Sequence, residues 1–131
     1  MFLTQIIKGG QNMKILILDD DQNRLDIFRK NIEQKLKVLN STDYAKTAKE
    51  AIEFLRANSD YDYIFLDRDL GDENSTGEDV VSFLIDHTYP TEKVGIVIHS
   101  WNIPAGKRMH ERLLSAGYKS IHQPGAWVAI G

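Results

Sequence analysis

Tyr63-Ile64-Phe65-Leu66-Asp67-Arg68-Asp69-Leu70-Gly71 is the stretch that decides the fold. An apolar run ends in two carboxylates that flank an arginine, and a polar loop with glycine follows. A run this short, bounded by polar and turn residues, reads as a strand buried on both faces, the kind found in parallel sheets. Open α/β sheets place ligands at the carboxyl ends of such strands, so Asp67 should stand at the lip. Upstream, Ile15-Leu16-Ile17-Leu18-Asp19-Asp20-Asp21 repeats the plan. Two neighbouring strands ending in acids would crowd like charges, which is costly unless a cation sits among them. Oxygen ligands favour a hard ion such as Mg²⁺, held at about 2.0–2.1 Å, with Mn²⁺ as the close substitute. Asp19, Asp20 and Asp67 are the expected ligands, with Asp69 supporting them from the loop.

Outward from this stretch, strands and helices alternate. The first strand is expected at about Lys14 to Leu18. The first helix carries Leu25, Phe28, Ile32 and Leu36 at helical spacing. Val38 to Tyr44 reads as a weaker second strand. Thr47 and Glu50 form a capping box ahead of an apolar face of Ala48, Ala51, Ile52 and Leu55. Asn58 and Ser59 end that helix, just before the deciding strand. The third helix starts at Thr76 as N-cap, buries Val80, Val81, Leu84 and Ile85, and closes at Tyr89-Pro90. Val94 to Ile98 is the fourth strand, ending in His99-Ser100-Trp101-Asn102. Pro104 suits a helix's first turn; that helix buries Met109 and Leu113 and stops at Gly117. The fifth strand runs from about Lys119 to His122, ahead of Gln123-Pro124. Such alternation with short links predicts an α/β fold, a doubly wound five-stranded parallel sheet. The seven residues after Pro124 are too few for a standard last helix. Part of one sheet face is therefore left for the Trp127-Val128-Ile130 tail, the N-terminal segment or a second subunit.

Met1 to Asn12 fits this plan poorly. Phe2, Leu3, Ile6 and Ile7 form one amphipathic turn, which Gly9-Gly10 stop. Lys8-Gly9-Gly10 can be encoded by AAAGGAGGT, a ribosome-binding sequence, shortly before Met13. Residues 1–12 thus read as an extension or a misassigned start, and 13–131 as the single domain. The chain has 131 residues, 16 basic and 19 acidic, for a net charge of −3. No bulk attraction to nucleic acid follows from that balance. Absence of cysteine excludes disulfides, thiolate metal sites and thiol catalysis. The apolar runs are too short to span a membrane, and the start lacks the features of a signal peptide. A cytoplasmic location is expected.

His99 is the histidine at a strand end beside the acids. A neighbouring carboxylate favours its protonated form, which suits a general acid or a phosphate ligand. Lys107 and Arg108 fall near the start of the fourth helix, where the macrodipole disfavours cations unless an anion binds there. A solvated basic face is the plainer alternative. Ser100 and Asn102 offer donors to a phosphate oxygen, although Asn102 also reads as the helix cap. Trp101 reads as a stacking platform for a base or as loop packing. His87 reads as solvated, His110 as lying on a helix face, and His122 as a weaker pocket candidate.

From Met13 to about Pro124 these residues resemble the receiver domain of response regulators. The resemblance implies a flavodoxin-like fold, an acidic pair at Asp19 and Asp20, and a phosphoacceptor at Asp67. The family's lysine before proline falls on Gln123, a departure that weighs against ordinary phosphoryl signalling. The sequence is more similar to the divergent cyclic-phosphate-processing branch, which carries an Asp-His-Asp-Leu-Gly type motif and a His-Ser-x-Asn-Pro-x-Gly type motif. Here these read Asp67-Arg68-Asp69-Leu70-Gly71 and His99-Ser100-Trp101-Asn102-Ile103-Pro104-Ala105-Gly106. Arg68 replaces a histidine and Ile103 is one extra residue. The leading expectation is a magnesium-holding pocket that binds or processes a phosphate ester, such as a nucleotide or RNA cyclic phosphate. In that reading His99 protonates the leaving oxygen, and Ser100, Asn102, Lys107, Arg108 and Gln123 face the phosphate. The alternatives are a signalling receiver phosphorylated on Asp67 and a non-catalytic module that binds a protein partner or a second copy.

Overall fold

The computed structural model describes residues 12–36, 39–71 and 74–126. The strands are β1 (Asn12–Leu18), β2 (Leu39–Ala45), β3 (Tyr63–Leu66), β4 (Gly95–Ile98) and β5 (Lys119–His122). They form one five-stranded sheet in the order β2-β1-β3-β4-β5, and every pairing is parallel. The helices are α1 (Gln22–Asn31), α2 (Ala48–Ala57), α3 (Gly77–Asp86) and α4 (Ile103–Ser115), and a π-helical turn at Ile32–Leu36 extends α1. Chain order reverses between β1 and β3, and at such a switch point the loops diverge and leave a crevice.

The unbroken apolar runs follow from burial on both faces. Leu16, Leu18, Ile64, Leu66, Ile96 and Ile98 join the core under α2, α3 and α4. Ile15, Ile17, Phe65 and Val97 point the other way and pack with Leu25, Phe28 and Ile32. Full burial of each such side chain is worth about 1.5–3 kcal/mol. Among the described residues α1 is the one helix on that second face. Further along it, Tyr63, Lys93, Gly95, Val97, Lys119 and Ile121 contribute to a groove of about 580 Å³. Among the described residues, none covers the sheet where a last helix would lie.

Several boundaries differ from those expected. β1 begins at Asn12, which pairs with Leu39, so the strand takes in the last residue of the expected extension. β2 runs one residue later than expected, to Ala45, which is fully buried beside β1. Asp21 caps α1 by accepting from the Arg24 N–H. Ile32 and Leu36 fall in the π-helical turn, so the first helix is shorter than its apolar spacing suggests. Thr47 accepts from the Glu50 N–H, but the Glu50 carboxylate bonds the Lys46 N–H, so the expected box closes one residue early. The third helix ends at Asp86, before Tyr89-Pro90, with Thr88 at φ 48° turning the chain. Its capping box is complete, between Thr76 and Asp79. His87 is exposed and lies against the Phe83 ring. The segment 1–11 and the Trp127-Val128-Ile130 tail, both expected near the open face, lie outside the described residues.

Candidate functional site

The sheet ladder continues one rung past the strands, and that rung makes the site. The Asp19 N–H bonds Ala45 O, Asp67 bonds Leu18 O, His99 bonds Leu66 O and Gln123 bonds Ile98 O, at 2.9–3.0 Å. Four residues expected at the lip therefore stand in one row, fixed by the backbone. Asp19 is 0% exposed, His99 1% and Asp67 7%. Ligand atoms of Asp19, Asp67 and His99 lie within 4.8 Å of one another.

Arg24, which the sequence did not single out, stands among these acids. Its Nη2 is 2.8 Å from Asp19 Oδ1 and its Nε is 2.9 Å from Asp19 Oδ2, a fork-to-carboxylate pair. The same Nη2 lies 3.4 Å from Asp67 Oδ2 and 3.4 Å from Asp20 Oδ1. Asp19 also accepts from the Asp21 N–H, and His99 Nε2 lies 3.1 Å from its Oδ2. Burial works to raise the Asp19 pKa, but the bonds from His99 and Arg24 outweigh it and hold the carboxyl at about 2. Asp19 is thus ionised and acceptor-only, so His99 Nε2 carries the proton between them.

Asp67 has fewer donors. Its Oδ1 accepts from the Arg68 N–H at 2.9 Å, and Arg24 touches Oδ2 at the longer distance given above. Burial raises its pKa to about 6, helped by the Asp19 charge and opposed by His99, the Arg68 amide and Arg24. A Cβ added at Gly77 would run into the Asp67 carbonyl oxygen, while the Gly77 N–H bonds Arg68 O. The start of α3 is therefore seated on the backbone that carries Asp67.

Arg68, at the histidine position of the resembled motif, turns away from the acids. Its guanidinium bonds Glu78 at 2.9 Å and Asp69 at 2.8 Å. Arg108 reaches the same Glu78 oxygen at 3.2 Å. Asp69 is accordingly held by Arg68 and Asn102, outside the tight group, and Asp20 is largely turned to solvent. Ser100 is buried, and its Oγ accepts from the Asn102 N–H. Asn102 caps α4 through the Ala105 N–H. Both residues therefore fix the loop in this structure. Lys107 is exposed. His122 bonds Ser100 O and packs where a Gly106 Cβ would be, so it braces α4 from below. His110 is half-buried and bonds Ser120. Trp101 is 67% exposed at the lip and overlies Gly125.

These residues fit a hard divalent cation. Ligands of an octahedral ion of this size sit about 3–4.2 Å apart, and the ligand atoms here already lie within 4.8 Å of one another. The acids also outnumber their cation: Arg24 alone faces Asp19, Asp20, Asp21 and Asp67. His99 fits less well as a ligand than Asp19 and Asp67 do. A ligating histidine normally donates its other N–H to a partner, whereas His99 Nδ1 is buried with no partner among the described residues. Its ring instead meets Phe28 edge-on at 5.2 Å. That geometry suits a histidine that orients Asp19.

The sequence matches the model of the cyclic-phosphate processing receiver domain over residues 14–115, and the chain belongs to that family. Among curated proteins nothing matches. Solved structures confirm the receiver, flavodoxin-like fold. The phosphorylated cyanobacterial phytochrome response regulator RcpA superposes with a TM-score of 0.64 at 16% identity, over 91% of this chain and 86% of its own. The non-phosphorylated receiver domain of the stress response regulator RcsB from Escherichia coli gives 0.62 at 21% identity, over 88% and 85%. The Mn²⁺-bound form of the response regulator Rcp1 gives 0.60 at 14%, over 86% and 80%. In a structure of two RcsB dimers bound to two parallel DNAs, the chain spans 55% of the RcsB chain. No helix among the described residues is long and apolar enough to cross a membrane.

Proposed function

We propose that this domain binds a divalent cation at Asp19 and Asp67, and with it a phosphate ester whose favoured form is a nucleotide or RNA cyclic phosphate. The observation that carries the reading is the buried cluster of Asp19, Asp67 and His99, more acidic than Arg24 can neutralise. Family membership favours the cyclic-phosphate form of the ligand. The cation, Mg²⁺ or Mn²⁺, would supply charge neutralisation and polarise a phosphoryl oxygen. Ring opening adds one water across a P–O bond, leaves a phosphomonoester and gives a proton to the departing oxygen. Asp19 and Asp67 anchor the site, and His99 holds Asp19 in register through Nε2. For His99 to act as the acid as well, its Nε2–H must leave Asp19. Lys107, exposed near the start of α4, and Arg108, once released from Glu78, would supply positive charge to an anion bound there.

A second reading has its own support: Asp67 follows the third strand of a receiver fold, where a phosphoacceptor stands, and RcpA has been crystallised phosphorylated. The two readings separate in one experiment. The wild type and His99→Ala are each given Mg²⁺ with a nucleoside cyclic phosphate, then with acetyl phosphate, and products are followed by phosphorus NMR. The enzyme reading expects ring opening, lowered by about 10²–10⁴-fold in His99→Ala. A stoichiometric acyl phosphate on Asp67, indifferent to His99 and without ring opening, would instead establish the signalling receiver.

A further inference from the structure

Arg24 is the cation that the acids hold in this structure, and its contacts use Asp19 to capacity. An ionised carboxylate offers about four lone-pair sites. Asp19 receives the Asp21 N–H, Arg24 Nη2, Arg24 Nε and His99 Nε2. No site on Asp19 is left for a metal ion. His99 is locked in place by Phe28 and by its own burial, and the Asp21 N–H belongs to the backbone that starts α1. Arg24 is the donor able to leave, because its side chain is 31% exposed and rises from the first turn of α1. Like charge adds to the lone-pair limit. A divalent ion on Asp19 and Asp67 would stand within a few ångströms of a guanidinium that touches both.

We propose that Arg24 is a resident counter-ion exchanged for the divalent cation: it neutralises Asp19 and Asp67 in the metal-free protein and swings out to solvent when the ion binds. This rests on the metal site proposed above and adds what sets its affinity. Each ion bound must first displace a bidentate arginine, so Arg24 raises the free cation concentration at which the site fills. Asp20 and Asp21, at 3.4 and 3.6 Å from the same guanidinium, offer the released side chain alternative partners.

Magnesium binding is measured by calorimetry on the wild type, Arg24→Gln and Arg24→Lys, all verified as folded by circular dichroism. The Arg24 side-chain Nε–H of the wild type is followed by NMR through a Mg²⁺ titration. Arg24→Gln should bind Mg²⁺ at least about tenfold more tightly, with Arg24→Lys between it and the wild type. The Nε–H signal, protected from exchange without metal, should lose protection with the midpoint of the calorimetric curve. Equal or weaker Mg²⁺ binding by folded Arg24→Gln, or an Nε–H still protected at saturating Mg²⁺, overturns the exchange and leaves the metal site standing. Failure of both wild type and Arg24→Gln to bind Mg²⁺ overturns the metal site itself, and the exchange with it. If Arg24→Gln does not fold, Arg24→Lys and the wild-type NMR decide between the same outcomes.

Discussion

Asp19 and Asp67 end neighbouring strands, one rung beyond the Leu18–Leu66 pair, yet their surroundings drive them in opposite directions. Asp19 is held at about 2 and Asp67 is raised to about 6, against an ordinary value near 3.8. Half-buried Arg24 and buried His99 serve the first carboxylate almost entirely, and the second is left to bear the desolvation.

The sign for pH follows from proton counts. Between about 2 and 3.8 the unfolded chain holds more protons at Asp19, so stability rises with pH and is fully gained above 3.8. Between about 3.8 and 6 the folded chain holds more protons at Asp67, so stability falls as pH rises. In chelator, that second shift should cost about 2–3 kcal/mol between pH 4 and pH 7.5. Asp67→Asn should lack this loss, which urea unfolding at the two pH values will show as non-parallel profiles. Parallel profiles would mean that Asp67 is not burdened as described.

The same substitution bears on the cation. A ligand that binds only the folded state raises the melting temperature, so Mg²⁺ in excess should stabilise the wild type. Asp67→Asn should begin more stable at neutral pH and respond little to Mg²⁺. An equal magnesium shift in both proteins would place the ion elsewhere.

Gly77 tests how firmly α3 is seated under Asp67. Its added Cβ would meet backbone rather than a flexible side-chain end, so it cannot be relieved by a rotamer change. Gly77→Ala should destabilise the domain by about 2 kcal/mol or more, within the range for a steric fault in a packed region. It should also weaken magnesium binding, because Asp67 must shift with its carbonyl. A variant with unchanged unfolding midpoint would contradict this.

A chain begun at Met13 should unfold within about 1 kcal/mol of the full chain, since among the described residues β1 loses only its Asn12–Leu39 pairing at the outer end. A larger loss in chemical denaturation would mean that residues 1–11 contribute to the core.

The strands were legible because parallel sheets bury both faces: Ile64, Phe65 and Leu66 are buried on alternating sides, and no periodicity had to be resolved. Carboxylates just after two such runs marked the lip for the same reason. Arg24 escaped notice because the pattern describes which acids converge and is silent on which side chain folds back over them. A signal existed, since Arg24 is the first basic residue after three consecutive acids and sits in a helix's opening turn, where cations are disfavoured. His99 was legible from its position after β4; what the sequence could not show is that its ring packs on Phe28 while its Nε2 meets Asp19. Ser100 and Asn102 were read for their donors; the structure adds that their oxygens accept from the Asn102 and Ala105 N–H groups, and that the Asn102 amide donates to Asp69.

The contact between His99 and Asp19 joins residues 80 apart in sequence, and Asp67 is 43 residues from Arg24. Loop closure over such spans is slow and late relative to local helix formation. The carboxylate pair therefore comes into being only after β1 and β3 have aligned, and His99 joins it once β4 has been added. Magnesium cannot template the folding of this domain. It should leave the folding rate nearly unchanged and slow unfolding instead, the kinetic pattern of interactions absent from the transition state.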